Sequence, residues 1–255
     1  MADTPSPPNP ATGMFWFFII TTIYFVIKYN TKDTSQSNIY LGIYLSLLII
    51  GEYIINLSLT DSMCGSRQWS TVLFVTLIPW IIIFGILNIC LSLFPGWLIP
   101  FSNTFGYGIA RLSGVNGILD NILKSNMKLA KTENKEIAEA LEHIYSDKSL
   151  LINEITPENF DRFWDNLEPF FKDGAVNFKD KLKDVIRLKD IVAEYIWYLL
   201  TGGLVTSVGY NYIVSAGCSQ SLQNMKARSK DYDAKSKTEF NDSQTTEKRV
   251  YTMGE

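Results

Sequence analysis

Histidine and cysteine are scarce in this chain, and charge is nearly missing from its longest apolar stretches. His143 is the single histidine. It stands beside Glu142, with no Cys or carboxylate set at metal-ligand spacing around it, which argues against a zinc-type centre. Three cysteines are too few for a disulfide framework. No phosphate-cradling glycine loop, no Gly-x-Ser-x-Gly elbow and no His-x-x-x-His pair occurs. No cofactor, metal or small-molecule substrate is therefore expected, and no enzymatic activity. A net charge of −3 gives no reason to expect a nucleic-acid partner. Met1–Gly13 holds four prolines and no basic residue. A secretory signal opens on a positive segment and closes on small residues, so the apolar run that follows is expected to be retained.

What the chain does have is four long apolar runs, Met14–Tyr29, Ile39–Leu59, Ser70–Phe94 and Ile191–Cys218. A hydrocarbon core takes about 20 helical residues to cross, and its backbone polar groups must be satisfied within the helix. The fold class expected is an all-α integral membrane protein of four transmembrane helices, with a small helical soluble domain inserted between the third and the fourth. Residues 14–101 form the three-helix membrane region with an interfacial elbow, 102–190 the insert and 191–218 the fourth helix. Residues 219–255 read as a flexible polar tail. The insert carries thirteen basic and fifteen acidic residues, ordinary soluble chemistry. The first run is the shortest; Trp16, Tyr24 and Tyr29 near its ends fit an aromatic belt and favour spanning.

With four crossings both termini share one face, side A, with the loop Thr60–Trp69. Cys64 and Cys218 then lie on the same side and pair if that face is oxidising; two unrelated free thiols is the simpler reading. Cys90 reads as packing. Basic residues are divided almost evenly between the two faces, with a lean towards side B, which carries the insert, being cytoplasmic.

Glu52 is the one ionisable residue well inside a run, seven residues from its side-A end and so about 10 Å deep. Asn56 lies one turn above it. Thr21 and Thr22, Thr76, and Tyr210 and Asn211 sit at comparable depth in the other runs, so polar groups from all four helices are expected to meet in a single layer. Such a layer is either a proton or ion site or hydrogen-bonding glue between helices. One layer without a ladder of polar groups favours glue. In the fourth run Gly202, Gly203, Thr206, Ser207 and Gly209 set small residues four apart, which lets helix backbones approach closely. Pro79 should kink the third helix.

Beyond the third run, Pro95 and Pro100 should break the helix, and Gly106 and Gly108 permit tight turns. Trp97 suits a headgroup level. The stretch reads as an ordered membrane-surface anchor for the insert. Within the insert, two apolar stripes follow, Ile109–Leu123 and a shorter one at Ile137, Leu141 and Ile144. Thr156-Pro157-Glu158 then starts a helix whose aromatic face is Phe160, Phe163, Trp164, Leu167, Phe170 and Phe171. That face reads first as core and otherwise as a docking surface. A last stripe, Phe178, Leu182, Val185 and Ile186, is expected to run on into the fourth crossing.

The segment Phe94–Gly108, FPGWLIPFSNTFGYG, between a triple-span half and a helical insert, is similar to membrane proteins of nucleocytoplasmic large DNA viruses. The resemblance implies a structural, non-enzymatic virion protein of the internal membrane, tying the bilayer to capsid or minor capsid proteins. Its partners would be lipid and other membrane or capsid proteins. Two other readings stand beside it: an accessory subunit of a cellular membrane complex, and a channel or transporter using the Glu52 layer.

Overall fold

The computed structural model describes residues 11–31, 33–124, 147–216, 218 and 229–238. The Ile137, Leu141 and Ile144 stripe, His143 and most of the tail lie outside them. The described chain is helical: α1 (Ala11–Asn30), α2 (Thr34–Cys64), α3 (Trp69–Leu93), α4 (Tyr107–Leu112), α5 (Val115–Ile122), α6 (Lys148–Glu154), α7 (Phe160–Leu167) and α8 (Lys179–Ala216). A further helical stretch covers 229–238. Four of these helices, α1, α2, α3 and α8, are long and apolar enough to cross a membrane.

Local chemistry sets their ends. The Asp33 side chain accepts from the Ser35 amide to start α2, and Gly65, at φ 63°, stops it in a left-handed conformation. α2 therefore runs one turn and more beyond Leu59, because Thr60, Asp61 and Ser62 lower hydropathy without breaking helical hydrogen bonds. α3 takes Pro79 as a π-helical segment, Pro79–Phe84, in mid-helix. The wider turn absorbs the donor that proline lacks.

The segment after α3 departs from expectation in part. α3 ends at Leu93 with Phe94 non-helical, so the break before Pro95 is as expected, but the chain does not stay unwound. A 3₁₀ turn over Pro95–Leu98 passes into helical turns at Ile99–Phe101 and a π-helical segment at Ser102–Gly106, which leads into α4. Pro100 stands in the first turn of its segment, where a missing amide costs nothing. Gly106 has helical φ of −60° and serves a close approach instead of a turn. A Cβ placed there would lie 2.4 Å from the Lys189 carbonyl oxygen of α8.

The described residues bury two cores. One lies among α1, α2, α3 and α8 and is aromatic: Phe17, Tyr24, Phe25, Tyr44, Trp80, Phe84 and Tyr198, with Leu48, Ile191 and Val205. Tyr24 stacks on Tyr44 at 4.5 Å between ring centroids, and Phe25 meets Tyr198 edge-on at 5.0 Å. Tyr24 therefore faces inwards, not towards a belt, and Trp16 lies against Gly51. The second core joins α4 to α7 with the first half of α8, through Val115, Leu119, Ile122, Ile152, Ile155, Phe160, Trp164, Leu182 and Ile186. α8 runs through both without a break.

The long helices are apolar outside and bury most of their few polar side chains within the aromatic core. Phe74 and Ile81 are each 62% exposed and Leu93 66%, whereas Thr21 is 0% and Glu52 2% exposed. Their close approach depends on missing side chains. A Cβ on Gly202 would stand 2.3 Å from the Phe17 ring, and one on Gly51 2.0 Å from the Trp16 indole nitrogen. At Gly203 the nearest atom is the Met14 sulfur at 3.7 Å, ordinary contact. Gly202→Ala is expected to lower stability by about 1–3 kcal/mol through overpacking. Gly203→Ala is expected to leave it unchanged or to raise it by up to about 1 kcal/mol through helix propensity. Thermal unfolding of the two variants in detergent reads the difference.

Candidate functional site

The expected polar layer is not one site. Thr21 Oγ1 pairs with the Tyr44 hydroxyl at 3.1 Å, and Thr22 Oγ1 with that of Tyr195 at 2.9 Å while donating to the Phe18 carbonyl. Asn56 Nδ2 donates to Thr76 Oγ1 at 3.0 Å. Residues three or four apart share a helix face and adjacent ones do not, so equal depth put these groups at one level but in different interfaces. The α1–α2, α1–α8 and α2–α3 contacts each receive one pair. That arrangement is hydrogen-bonding glue.

Glu52 is left apart from these pairs. It lies against Gly13 of α1, where a Cβ would come within 3.1 Å of Oε2 and 3.3 Å of the Thr206 methyl. Glu52 Oε1 and Thr206 Oγ1 are both buried without a hydrogen-bond partner. Both residues line a cavity of about 330 Å³ between α1, α2 and α8, together with Thr12, Ile55, Asn56 and Tyr210. A smaller cavity of about 190 Å³ holds Met14, Ser207 and Asn211 beside Thr206 and Tyr210. The small residues of α8 thus serve their own chain. Gly202 seats Phe17, Gly203 meets Met14 and a Cβ on Gly209 would lie 3.8 Å from the Val75 carbonyl oxygen, whereas Ser207 is exposed.

Cys64 closes α2 and is joined to Cys218, just beyond α8, in a disulfide with 5.4 Å between Cα atoms. Cys90 is free. The bond ties the ends of two long helices on side A.

At the opposite ends, charges do structural work that hydropathy does not disclose. Lys28 of α1 and Glu194 of α8 form an ion pair at 2.5 Å. Arg187 donates to the Lys28 and Thr31 carbonyls, placing a cation at the C-terminus of α1. Lys189 is buried in α8, and its Nζ donates to the carbonyls of Ile152 at 2.6 Å and Ile155 at 3.2 Å, with Asn153 at 3.4 Å. It satisfies the C-terminus of α6. Sequence reading counted these residues only towards orientation. The one available signal was three basic residues at the mouth of an apolar run.

The aromatic face of α7 is turned into the module's own core, the first of its two readings, and is not free as a docking surface. Phe160, Trp164 and Phe171 are buried, and Phe163 and Leu167 pack against the same cluster, with Phe170 half-buried. α7 begins three residues after Pro157, because Thr156 and Asn159 exchange side-chain-to-amide hydrogen bonds and hold a turn first. Phe171 is extended and pairs with Leu123 through Lys172 N–H to Ile122 O at 2.8 Å and Lys124 N–H to Phe170 O at 3.2 Å. Lys179 and Lys183 lie over the rings of Trp164 and Phe160 and both pair with Asp161. The Lys183 hydrogen bond holds the Asp161 carboxyl below its ordinary pKa.

No family model, curated protein or solved structure matches this chain. Its reading rests on its own geometry.

Two outcomes follow from these contacts. Lys189→Met keeps the apolar stem but strands the α6 carbonyls, for an expected loss of about 1–3 kcal/mol; amide exchange over 148–155 should quicken before that of α1. With the disulfide intact, a maleimide should modify neither Cys64 nor Cys218. After reduction both should react, whereas labelling without reductant would show free thiols.

Proposed function

We propose that this chain is a multi-pass membrane protein with a non-enzymatic, structural role. In this reading four long helices are solvated by lipid, and the helical module between α3 and α8 stands in water at one membrane surface. The observation that carries it is the apolar exterior of α1, α2, α3 and α8, with large aliphatic and aromatic side chains outside and Thr21, Glu52, Asn56 and Thr76 buried within an aromatic core. A contiguous apolar exterior of that extent is unsuited to water. The Cys64–Cys218 disulfide supports an oxidising side A, which leaves the module on the reducing side.

The finer reading is a protein of the internal membrane of a large DNA virus particle, linking that membrane to capsid or minor capsid proteins. Its support is the likeness of Phe94–Gly108 and the layout around it. With the α7 aromatics occupied in the module's core, contact with a shell protein on side B falls to the module's charged outer surface; a shell on side A would meet the tail 219–255 instead. Pairing of the intramembrane hydroxyls and amides within helix interfaces supports a structural role over conduction.

Quantitative mass spectrometry of purified particles, combined with lysine cross-linking, tests the proposal. The expected result is a fixed copy number relative to the shell protein, with cross-links from Lys179, Lys181 or Lys183 to it. Absence from particles, or cross-links confined to cellular respiratory subunits, would overturn the virion reading and leave the membrane reading standing.

A further inference from the structure

The cavity beside Glu52 sets a buried, unpartnered carboxyl oxygen against open space. Its inner end is formed by a carboxylate that is 2% exposed, with Oε1 unpartnered, and by the unpartnered Thr206 hydroxyl oxygen. None of the described lining residues is basic. A buried carboxylate is costly without a cation or donor, and Glu52 Oε1 has neither among the described residues, so the cavity beside it has room for a donor that those residues do not supply. Gly13 is what leaves room: a side chain there would start within 3.1 Å of Glu52 Oε2.

Size and lining restrict the occupant. A volume of about 330 Å³ is large for a bare ion and within the range of organic ligands. Hard metal ions gather six or more oxygens, commonly from several carboxylates, and here there is one carboxylate. Ile54, Ile55 and Leu59 give the cavity an apolar wall, and the lining continues along α2 to Ser58 and Ser62. Ser62 lies ten residues from Glu52 in the sequence, so the groove climbs roughly 15 Å towards the side-A end of α2. Ile54 and Ser62 are exposed, so it opens outwards there.

We propose that this groove binds a primary ammonium group carried on an apolar stem, with Glu52 as its counter-ion, Thr206 as a second acceptor and the isoleucine–leucine wall along the stem. The amine can come from an aminophospholipid or from a free alkylamine. The site stands apart from the virion reading; only the lipid source rests on the membrane placement.

The full chain in detergent is titrated with phosphatidylethanolamine, phosphatidylcholine and octylamine, following thermal unfolding and retention in native mass spectrometry. Phosphatidylethanolamine, octylamine or both should raise Tm and remain bound. Phosphatidylcholine, which has no N–H, should do neither. Glu52→Gln should weaken amine binding by roughly 10- to 100-fold, the loss of a charge-assisted hydrogen bond. Thr206→Val, which keeps shape, should weaken it by a smaller factor and provides the test if Glu52→Gln fails to fold. Ethanolamine lipid alone assigns a lipid source and octylamine alone a free amine. Equal retention of all three by the wild type and both variants, or retention of none, overturns the proposal. If the chain stays in solution without detergent yet binds octylamine through Glu52, the membrane reading fails and the site survives.

Discussion

Lys189 sits buried where α8 leaves the inserted module, and two halves of the chain meet on it. Its ammonium occupies the carbonyl end of α6, while its backbone and stem receive Gly106 from the helical segment before α4. A buried cation is tolerated when a helix C-terminus supplies partial negative charge and hydrogen-bond acceptors. Lys189 joins α6 to α8 through its ammonium and the elbow to α8 through its backbone and stem, beside the apolar packing of Ile152 and Ile155 with Leu182 and Ile186. Arg187, two residues before Lys189, repeats the device at the carbonyl end of α1, and the Lys28–Glu194 pair, five residues after it, fastens α1 to the same stretch of α8.

α8 is consequently the axis of the molecule. Over its 38 residues, about 57 Å at helical rise, it gives Leu182, Val185 and Ile186 to the module's core and Ile191, Tyr198 and Val205 to the core among the long helices. A rigid helix shared by two cores transmits orientation from one to the other without a hinge. At its far end the disulfide to Cys64 closes the frame. The shallow cavities that remain, beside Glu52 and Thr206, lie at the end where glycines replace bulk.

The sequence disclosed helix number and order, since charge-free length and local hydrogen bonding decide both. The continuity of Phe178–Ile186 into the last long helix was legible from spacing alone. Partner choice was not. Thr21, Thr22 and Asn56 were placed at the right depth, yet each bonds across a different interface, and helix rotation about its axis is set by packing such as Phe17 on Gly202. Pro95 and Pro100 were read as breakers: α3 does end before Pro95, at a non-helical Phe94, whereas Pro100 sits in the first turn of a helical segment and breaks nothing. Gly106 was read as a turn residue, when the physical demand was proximity to Lys189. Aromatic side chains were equally ambiguous: Tyr24 has the composition of a membrane belt and the position of a core stack.

Spin labels placed singly along α8 from residue 180 to 216, with collision rates to oxygen and to a water-soluble nickel chelate, test the central claim most directly. The account requires chelate access at outward positions before Lys189 and oxygen-dominated access at positions such as Leu200 and Leu204, with the change falling near Ile191. Chelate access that is uniform along the whole helix would mean that water, not lipid, surrounds it.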